Sequence, residues 1–317
     1  KSEKTEGENP FFSAWETPYG VPPFDKIRAE HFLPALERGM SLHDAEIDAI
    51  ASNNDDPTFG NVIEAYDAAG GMLARTELVF GMLCAAENTP ELQALQKRAM
   101  PLLAAHYDRI LLDERLFARV KELYDRRGAL DLDDVQLRLL EKTYRRFVRA
   151  GALLDAGRKA RLKEINGELA LAAVKFGNNL LAENNRFEME LTADEMAGLP
   201  SDVQELAREK ARERGKKKDT GIFTLHKPSL IPFLTYSSDR GLRERIYKAY
   251  LNRGNNGDEY DNKQLINDFI RLRTEKAHLL GYPSYAAYVV DDEMAGTTDA
   301  VYELLEGVWT PALERAK

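Results

Sequence analysis

Cysteine is almost absent: Cys84 is the single one in 317 residues. An internal disulfide is thereby excluded, and so is a zinc site built on several thiolates. Cys84 lies in the apolar run 81–86, a setting that suits a buried, inert thiol better than a reactive one. Positive charge is also scarce relative to negative. Lys and Arg number 44 against 53 Asp and Glu, a net charge of −9 with a pI near 5.3. Phosphate backbones need clustered cations, so nucleic acid is not the expected partner. No stretch approaches the roughly 20 uninterrupted apolar residues of a membrane span. There is no G-x-S-x-G elbow, no phosphate-binding G-x-x-x-x-G-K-[ST] loop, and no glycine fingerprint after a strand.

Histidine pairs are missing in the pattern that matters most. The five histidines are His31, His43, His106, His226 and His278. A helical zinc site of the H-E-x-x-H type needs two imidazoles four residues apart, so that both project from one face with a Glu beside them. No two of these are so spaced; the nearest pair, His31 and His43, is 12 apart. A lone His such as His106, on an amphipathic face, reads as a packed or hydrogen-bonded residue. Residues 255–262 carry oxygen ligands but lack the spacing and terminal Glu of a calcium loop, and read as a turn between helices.

What is present is helical periodicity. In 91–112, Leu92, Leu95, Ala99, Leu102, Leu103, His106 and Ile110 mark one face. Val62, Ile63, Tyr66, Leu73, Val79 and Phe80 do the same in the segment before. Leu132, Val135, Leu139, Tyr144 and Phe147 define another helix, and Leu162, Ile165, Leu169, Val174 and Leu180 a further one. Asp56 and Thr89, each followed by proline, read as N-caps. Thr192 with Glu195, and Ser201 with Gln204, fit capping boxes.

One region departs from this. Residues 186–191 alternate apolar and polar side chains, the period of a strand, and 222–225 form a second β-rich run. Residues 230–236, with a proline inside, make a weaker third. The expectation is a mainly α body with a small inserted β hairpin or three-stranded sheet. The basic stretch 208–218 between these runs reads as a solvated helix end, its charge matching the helix dipole.

The last third carries longer phrases. Residues 239–252 (Asp-Arg-Gly-Leu-Arg-Glu-Arg-Ile-Tyr-Lys-Ala-Tyr-Leu-Asn) precede 267–277 (Asn-Asp-Phe-Ile-Arg-Leu-Arg-Thr-Glu-Lys-Ala). Then come 278–288 (His-Leu-Leu-Gly-Tyr-Pro-Ser-Tyr-Ala-Ala-Tyr) and Met294-Ala295. This order resembles the opening of the catalytic region in the thimet oligopeptidase family of zinc metallopeptidases. Asn9-Pro10-Phe11, Phe24-Asp25-Lys26-Ile27, Pro57-Thr58-Phe59-Gly60-Asn61, Leu116-Phe117-Ala118-Arg119-Val120 and 146–152 agree with it. The Phe147-Val148-Arg149-Ala150-Gly151-Ala152 phrase is most similar to the family's bacterial peptidyl-dipeptidase branch.

The resemblance implies the helical N-terminal half of a thermolysin-like oligopeptidase, in which two halves flank a deep channel that admits short peptides. It implies a zinc ion held by two His of H-E-x-x-H and a distant Glu, the motif's own Glu activating water. No such motif occurs up to Lys317, so no catalytic or metal residue is assigned here. This chain alone is expected to be inactive and zinc-free, and the expected partners are short peptides and a C-terminal catalytic half. The implied activity is release of C-terminal dipeptides, with endo-cleavage and a non-catalytic helical scaffold as alternatives.

Three segments follow from this: a polar tail at 1–9, a helical domain at 10–235 with the β element, and the start of a catalytic region at 236–317. The chain begins at Lys1 and not at Met, so the tail reads as a solvated end or as a spacer left by a removed leader. The compartment stays open between bacterial cytoplasm and periplasm or cell envelope. Tyr282, Tyr285 and Tyr288 invite a substrate-contact reading, but aromatic residues at helical spacing more often pack in a core; substrate-binding residues stay unassigned. Residues 303–317 read as amphipathic helix, with Leu305, Val308, Trp309 and Leu313 as apolar surface awaiting a partner.

Overall fold

A computed structural model describes residues 9–217 and 219–317; most of the polar tail and Lys218 lie outside the described residues. The protein is mainly α, with one two-stranded antiparallel sheet among the described residues. It divides into two compact units. The first comprises the described residues up to Leu171 together with Ile270–Lys317, and the second is Ala172–Phe269.

The first unit begins with α1 (Ala29–Ala51), followed by a π-helical turn at Phe59–Glu64 that runs into α2 (Ala65–Ala68). Then come α3 (Gly71–Ala86), α4 (Pro90–Leu111), α5 (Glu114–Asp125) and α6 (Asp134–Arg149). One core joins Phe32 and Leu36 of α1 to Leu73, Val79 and Phe80 of α3 and to Leu92 and Leu103 of α4. Close approach of α1 and α3 requires Gly39, where an added Cβ would lie 2.9 Å from the Leu73 Cα. A second core gathers Ile47 and Ile50, Val62 and Ile63, Leu116, Val120, Leu140 and Phe147.

The segment 62–80 does not form the single helix its periodicity suggests. Gly70, at φ +79°, breaks it between α2 and α3. By length and composition alone the run Phe59–Ala86 is apolar enough to cross a membrane. Its break and its core residues explain that composition differently: Val62 and Ile63 serve one core while Leu73, Val79, Phe80 and Cys84 serve the other.

Capping corrects several details. Thr89 caps α4, its hydroxyl accepting from the Leu92 N–H at 3.3 Å. Asp56 is not a cap; the helical turn starts later, where Thr58 and Asn61 form the reciprocal box. Ser201 is also not a cap, because Pro200 takes that position and Gln204 donates instead to the Leu199 carbonyl. Thr192 and Glu195 make the two reciprocal bonds of a box, yet the residues that follow form turns. Two expected core positions face water: Leu102 and Val135 are exposed, and α6 buries Leu140, Thr143 and Phe147.

The long helix α7 (Ala156–Arg186) supplies residues to both units. In the second unit, β1 (Met189–Thr192) pairs with β2 (Thr220–Phe223) in the register Met189 to Phe223 and Thr192 to Thr220. Met189 and Leu191 are buried while Glu190 and Thr192 are exposed, the alternation of a strand with one covered face. Between the strands runs α8 (Ser201–Glu213), which packs on β2 so closely that a Cβ at Gly221 would meet the Ala207 Cβ at 3.0 Å; the Met196 side chain, ahead of α8, crowds the same glycine. The basic stretch after it is ion-paired, Arg214 with Glu188 and Lys216 with Glu190, each at 3.0 Å.

Among the described residues no third strand forms. Lys227–Tyr236 is a helix, α9, with Pro228 in its first turn and Leu230 and Phe233 buried three residues apart. A short apolar run is ambiguous between strand and helix, and here Pro228 at the helix start, where it gives up no hydrogen bond, decides it. Next come α10 (Arg240–Leu251), capped by Asp239, and α11 (Lys263–Leu279). The intervening loop uses its own oxygens: Asp261 accepts from the Gly257 N–H at 2.8 Å and pairs with Lys263. The chain returns to the first unit within α11 and continues through α12 (Tyr285–Val290) and α13 (Thr298–Ala316).

Candidate functional site

Helix α6 carries Lys142, Arg145, Arg146 and Arg149 at spacings of three and four, which place them along one side of the helix. Three of them grip the segment around α12. Lys142 donates to Asp292 at 2.8 Å, and Arg145 pairs with Asp291 at 2.9 Å. Arg149 donates to Asp291 at 2.6 Å and to the Tyr288 carbonyl at 2.7 Å. The Tyr282 hydroxyl donates to the same Asp291 carboxylate at 2.9 Å. The Arg149 guanidinium also lies over the Tyr288 ring, 4.5 Å from its centroid, within cation–π range. The hydrogen bond from Arg145, with those from Tyr282 and Arg149, holds Asp291 below the usual carboxylate range despite partial burial.

The tyrosines are thus half-buried members of a polar network. Tyr282 and Tyr288 meet edge to face at 5.3 Å, and Tyr285 and Tyr288 lie 5.9 Å apart. Tyr282 and Tyr288 pack against each other and contact Arg149 of α6.

Beside the network is a cavity of about 550 Å³, walled by residues of α4, α6, α7, α11 and α12. Lys142, Arg146, Arg149 and Lys276 contribute cations to its wall, against the carboxylates Asp108 and Asp292. Asn166 bridges the far side: it donates to Asp108 at 2.7 Å and accepts from the Lys276 ammonium at 2.7 Å. Burial lowers the Lys276 pKa, and the nearby Asp108 only partly offsets it. Burial likewise raises Asp108, opposed by the Asn166 hydrogen bond and by Lys276. A smaller cavity of about 240 Å³ in the second unit, lined by Val203, Leu206, Phe223 and Pro232 among others, has no comparable cluster of charge.

The histidines fall in different settings. His31 accepts from the Arg28 N–H at 3.0 Å at the start of α1. His226 precedes α9 and contacts the Thr224 hydroxyl at 3.1 Å, while His278 lies 3.3 Å from the Pro283 carbonyl. His43 and His106, distant in sequence, meet in the first unit, both buried. Periodicity placed His106 on a buried face but held no signal for its partner.

These residues do not fit a zinc ion. The two facing ring nitrogens of His43 and His106 are bonded to each other at 3.0 Å, whereas zinc needs nitrogens converging on it at roughly 2.0–2.1 Å. Asp44 lies on the opposite nitrogen of His106. Among the described residues no group of three His, Cys, Asp or Glu side chains is arranged to hold a metal. Cys84 is buried, and burial raises its thiol pKa.

Comparison with known proteins finds similarity to peptidases. The model of peptidase family M3 matches residues 233–317. The dipeptidyl carboxypeptidase of Escherichia coli strain K12 is 36% identical over 309 residues, covering 97% of this chain and 45% of that protein. That of Salmonella typhimurium is 35% identical over 308 residues, with the same coverage. Oligopeptidase A of Escherichia coli is 28% identical over 294 residues, covering 91% of this chain and 43% of that protein. Residues 233–317 are thus similar to peptidase family M3, and nearly the whole chain is similar to these dipeptidyl carboxypeptidases. The chain spans somewhat under half the length of these relatives.

Proposed function

We propose that this chain is the helical, channel-forming part of a zinc-dependent peptidyl-dipeptidase that releases dipeptides from the C-termini of short peptides. The observation that carries the reading is 36% identity to a dipeptidyl carboxypeptidase along 97% of the chain. The zinc ligands and the water-activating Glu belong, in this reading, to sequence outside these 317 residues. What these residues contribute is scaffold and wall: two helical cores, the α6–α12 ion-pair network, and a cationic cavity. Nucleic acid is not a partner in this reading, given the net charge of −9.

An endo-acting oligopeptidase is the second reading, favoured by the 28% identity to oligopeptidase A. The two differ in whether the substrate's C-terminal carboxylate is recognised. The test is a digest by the protein made from its whole reading frame, using one short peptide as free acid and as C-terminal amide. Release of dipeptides from the acid, lost on amidation, supports the first reading. Equal internal cleavage of both forms supports the second. No cleavage of either, with zinc supplied, would point to a non-catalytic scaffold.

A further inference from the structure

We propose that the cavity between Arg146 and Lys276 is a binding site for an aliphatic carboxylate, a single negative charge carried on a short carbon skeleton. Four cations and two carboxylates line it, a local excess of positive charge in a chain whose net charge is −9. The overall field of the protein repels anions, so attraction must come from these groups at short range.

Two of the cations are not spent on carboxylates. Lys142 and Arg149 are tied to Asp292 and Asp291. Arg146 makes no ion pair among the described residues, and its guanidinium offers the planar fork that matches a carboxylate. Lys276 reaches, among the described residues, only the neutral amide oxygen of Asn166 at hydrogen-bond distance. The ammonium has three donors, so with Asn166 bound and Asp108 beyond that amide it keeps donors to offer an anion.

The rest of the wall selects among anions. Asp108 and Asp292 oppose a doubly charged ligand such as phosphate. Ala104, Leu111, Ala150 and the Tyr288 ring provide apolar surface for a carbon skeleton. At about 550 Å³ the space exceeds a bare carboxylate and is in the range of small-molecule pockets. Which carboxylate occupies it, a peptide C-terminus or a free small acid, is the only part that rests on the peptidase reading.

The experiment is calorimetric titration of the 317-residue protein with N-acetyl-dialanine, its C-terminal amide, propionate and inorganic phosphate. The acid is expected to bind and the amide to bind at least about tenfold more weakly, as loss of a charge-assisted contact implies. Arg146→Gln is expected to weaken the acid by about tenfold. Arg138→Gln, on the same helix but beside Glu141 and outside the cavity wall, is expected to leave it unchanged. Lys276→Gln is expected to act like Arg146→Gln; should it fail to fold, the variant at the exposed Arg146 decides the matter.

Propionate binding as well as N-acetyl-dialanine identifies a free acid as the ligand, and the site stands whatever the fate of the peptidase reading. Propionate binding tenfold more weakly identifies a peptide end. Acid and amide binding alike, no binding of the acid by about 10 mM, phosphate binding more tightly than the acid, or an Arg146→Gln variant that binds as the parent does would each overturn the proposal.

Discussion

The Nε2 of His106 lies 3.0 Å from the Nδ1 of His43, although 63 residues separate them in the chain. Arg109, which can only donate, reaches the Nδ1 of His106 at 3.0 Å. Asp44 stands 3.2 Å from that same Nδ1, and Glu46 accepts from the Gly70 N–H nearby. Burial is the main cause that lowers both imidazole pKa values. Asp44 opposes it at both rings and Glu46 at His43, while Arg109 reinforces it at both and Arg146 at His43.

A pH dependence of stability follows. The ordinary histidine value is 6.5, and both folded values lie below it. The unfolded chain therefore binds protons in that interval that the folded chain does not. Stability from these two groups is complete above pH 6.5 and declines as pH falls below it toward the folded values. The slope has a ceiling of about 1.4 kcal/mol per pH unit for each imidazole. Thermal melts from pH 7.5 down to about pH 5 measure it. A His43→Gln, His106→Gln double variant is expected to flatten the slope, and an undiminished slope in that variant would refute the assignment.

Gly70 tests the same corner by shape. It sits at φ +79°, and an added Cβ would come within 2.9 Å of the His43 ring. Gly70→Ala is expected to cost about 1–2 kcal/mol or more, from the left-handed backbone and the ring contact together. Gly71→Ala, at a position where a Cβ meets nothing within 4 Å, is the control and is expected to melt with the parent. Equal melting of all three proteins would remove the constraint from Gly70.

The clamp on α12 is testable by charge alone. Asp291→Asn keeps the shape but removes the charge that Arg145, Arg149 and Tyr282 share. The pair is partly exposed, so the expected loss is about 1 kcal/mol at low ionic strength, shrinking in 1 M salt. Hydrogen exchange is the direct readout: amides of Tyr285–Val290 are expected to exchange about tenfold faster than in the parent. Unchanged exchange there would mean that packing, not the ion pairs, holds α12.

Metal content is a separate matter. After dialysis the 317-residue protein is expected to hold less than one zinc per chain, because His43 and His106 face each other and not a shared cation. Elemental analysis of the dialysed protein decides. One zinc per chain, resistant to dialysis, would reverse the reading of the histidines.

Helix α13 exposes Tyr302, Leu304, Leu305, Val308, Trp309 and Leu313 together. A patch of that kind is expected to drive concentration-dependent self-association of the 317-residue protein. Sedimentation velocity over a range of concentrations measures this, and Leu305→Glu with Trp309→Glu is expected to shift the protein toward monomer. A parent that sediments as a single monomeric species at all concentrations would count against it.

Much of the fold was written in periodicity. Leu92, Leu95, Ala99, Leu103, His106 and Ile110 all lie on the buried face that their spacing marks, because a helix must hide its apolar stripe wherever it packs. The alternation read at 186–191, whose last three residues lie in the strand Met189–Thr192 while Arg186 ends α7, and the cap at Thr89 were readable for the same reason: each depends on neighbours within a few residues. The family phrases, too, are linear features. What local pattern could not supply was decided by contacts between distant residues. The break at Gly70 answers to His43, a residue on another helix. The helical state of Lys227–Tyr236 was ambiguous in a short apolar run. The cavity exists only because α4, α6, α7, α11 and α12 bring Asp108, Arg146, Asn166, Lys276 and Tyr288 to one place. Spacing within a chain specifies which face of an element is apolar; tertiary packing alone specifies which charges end up sharing that space.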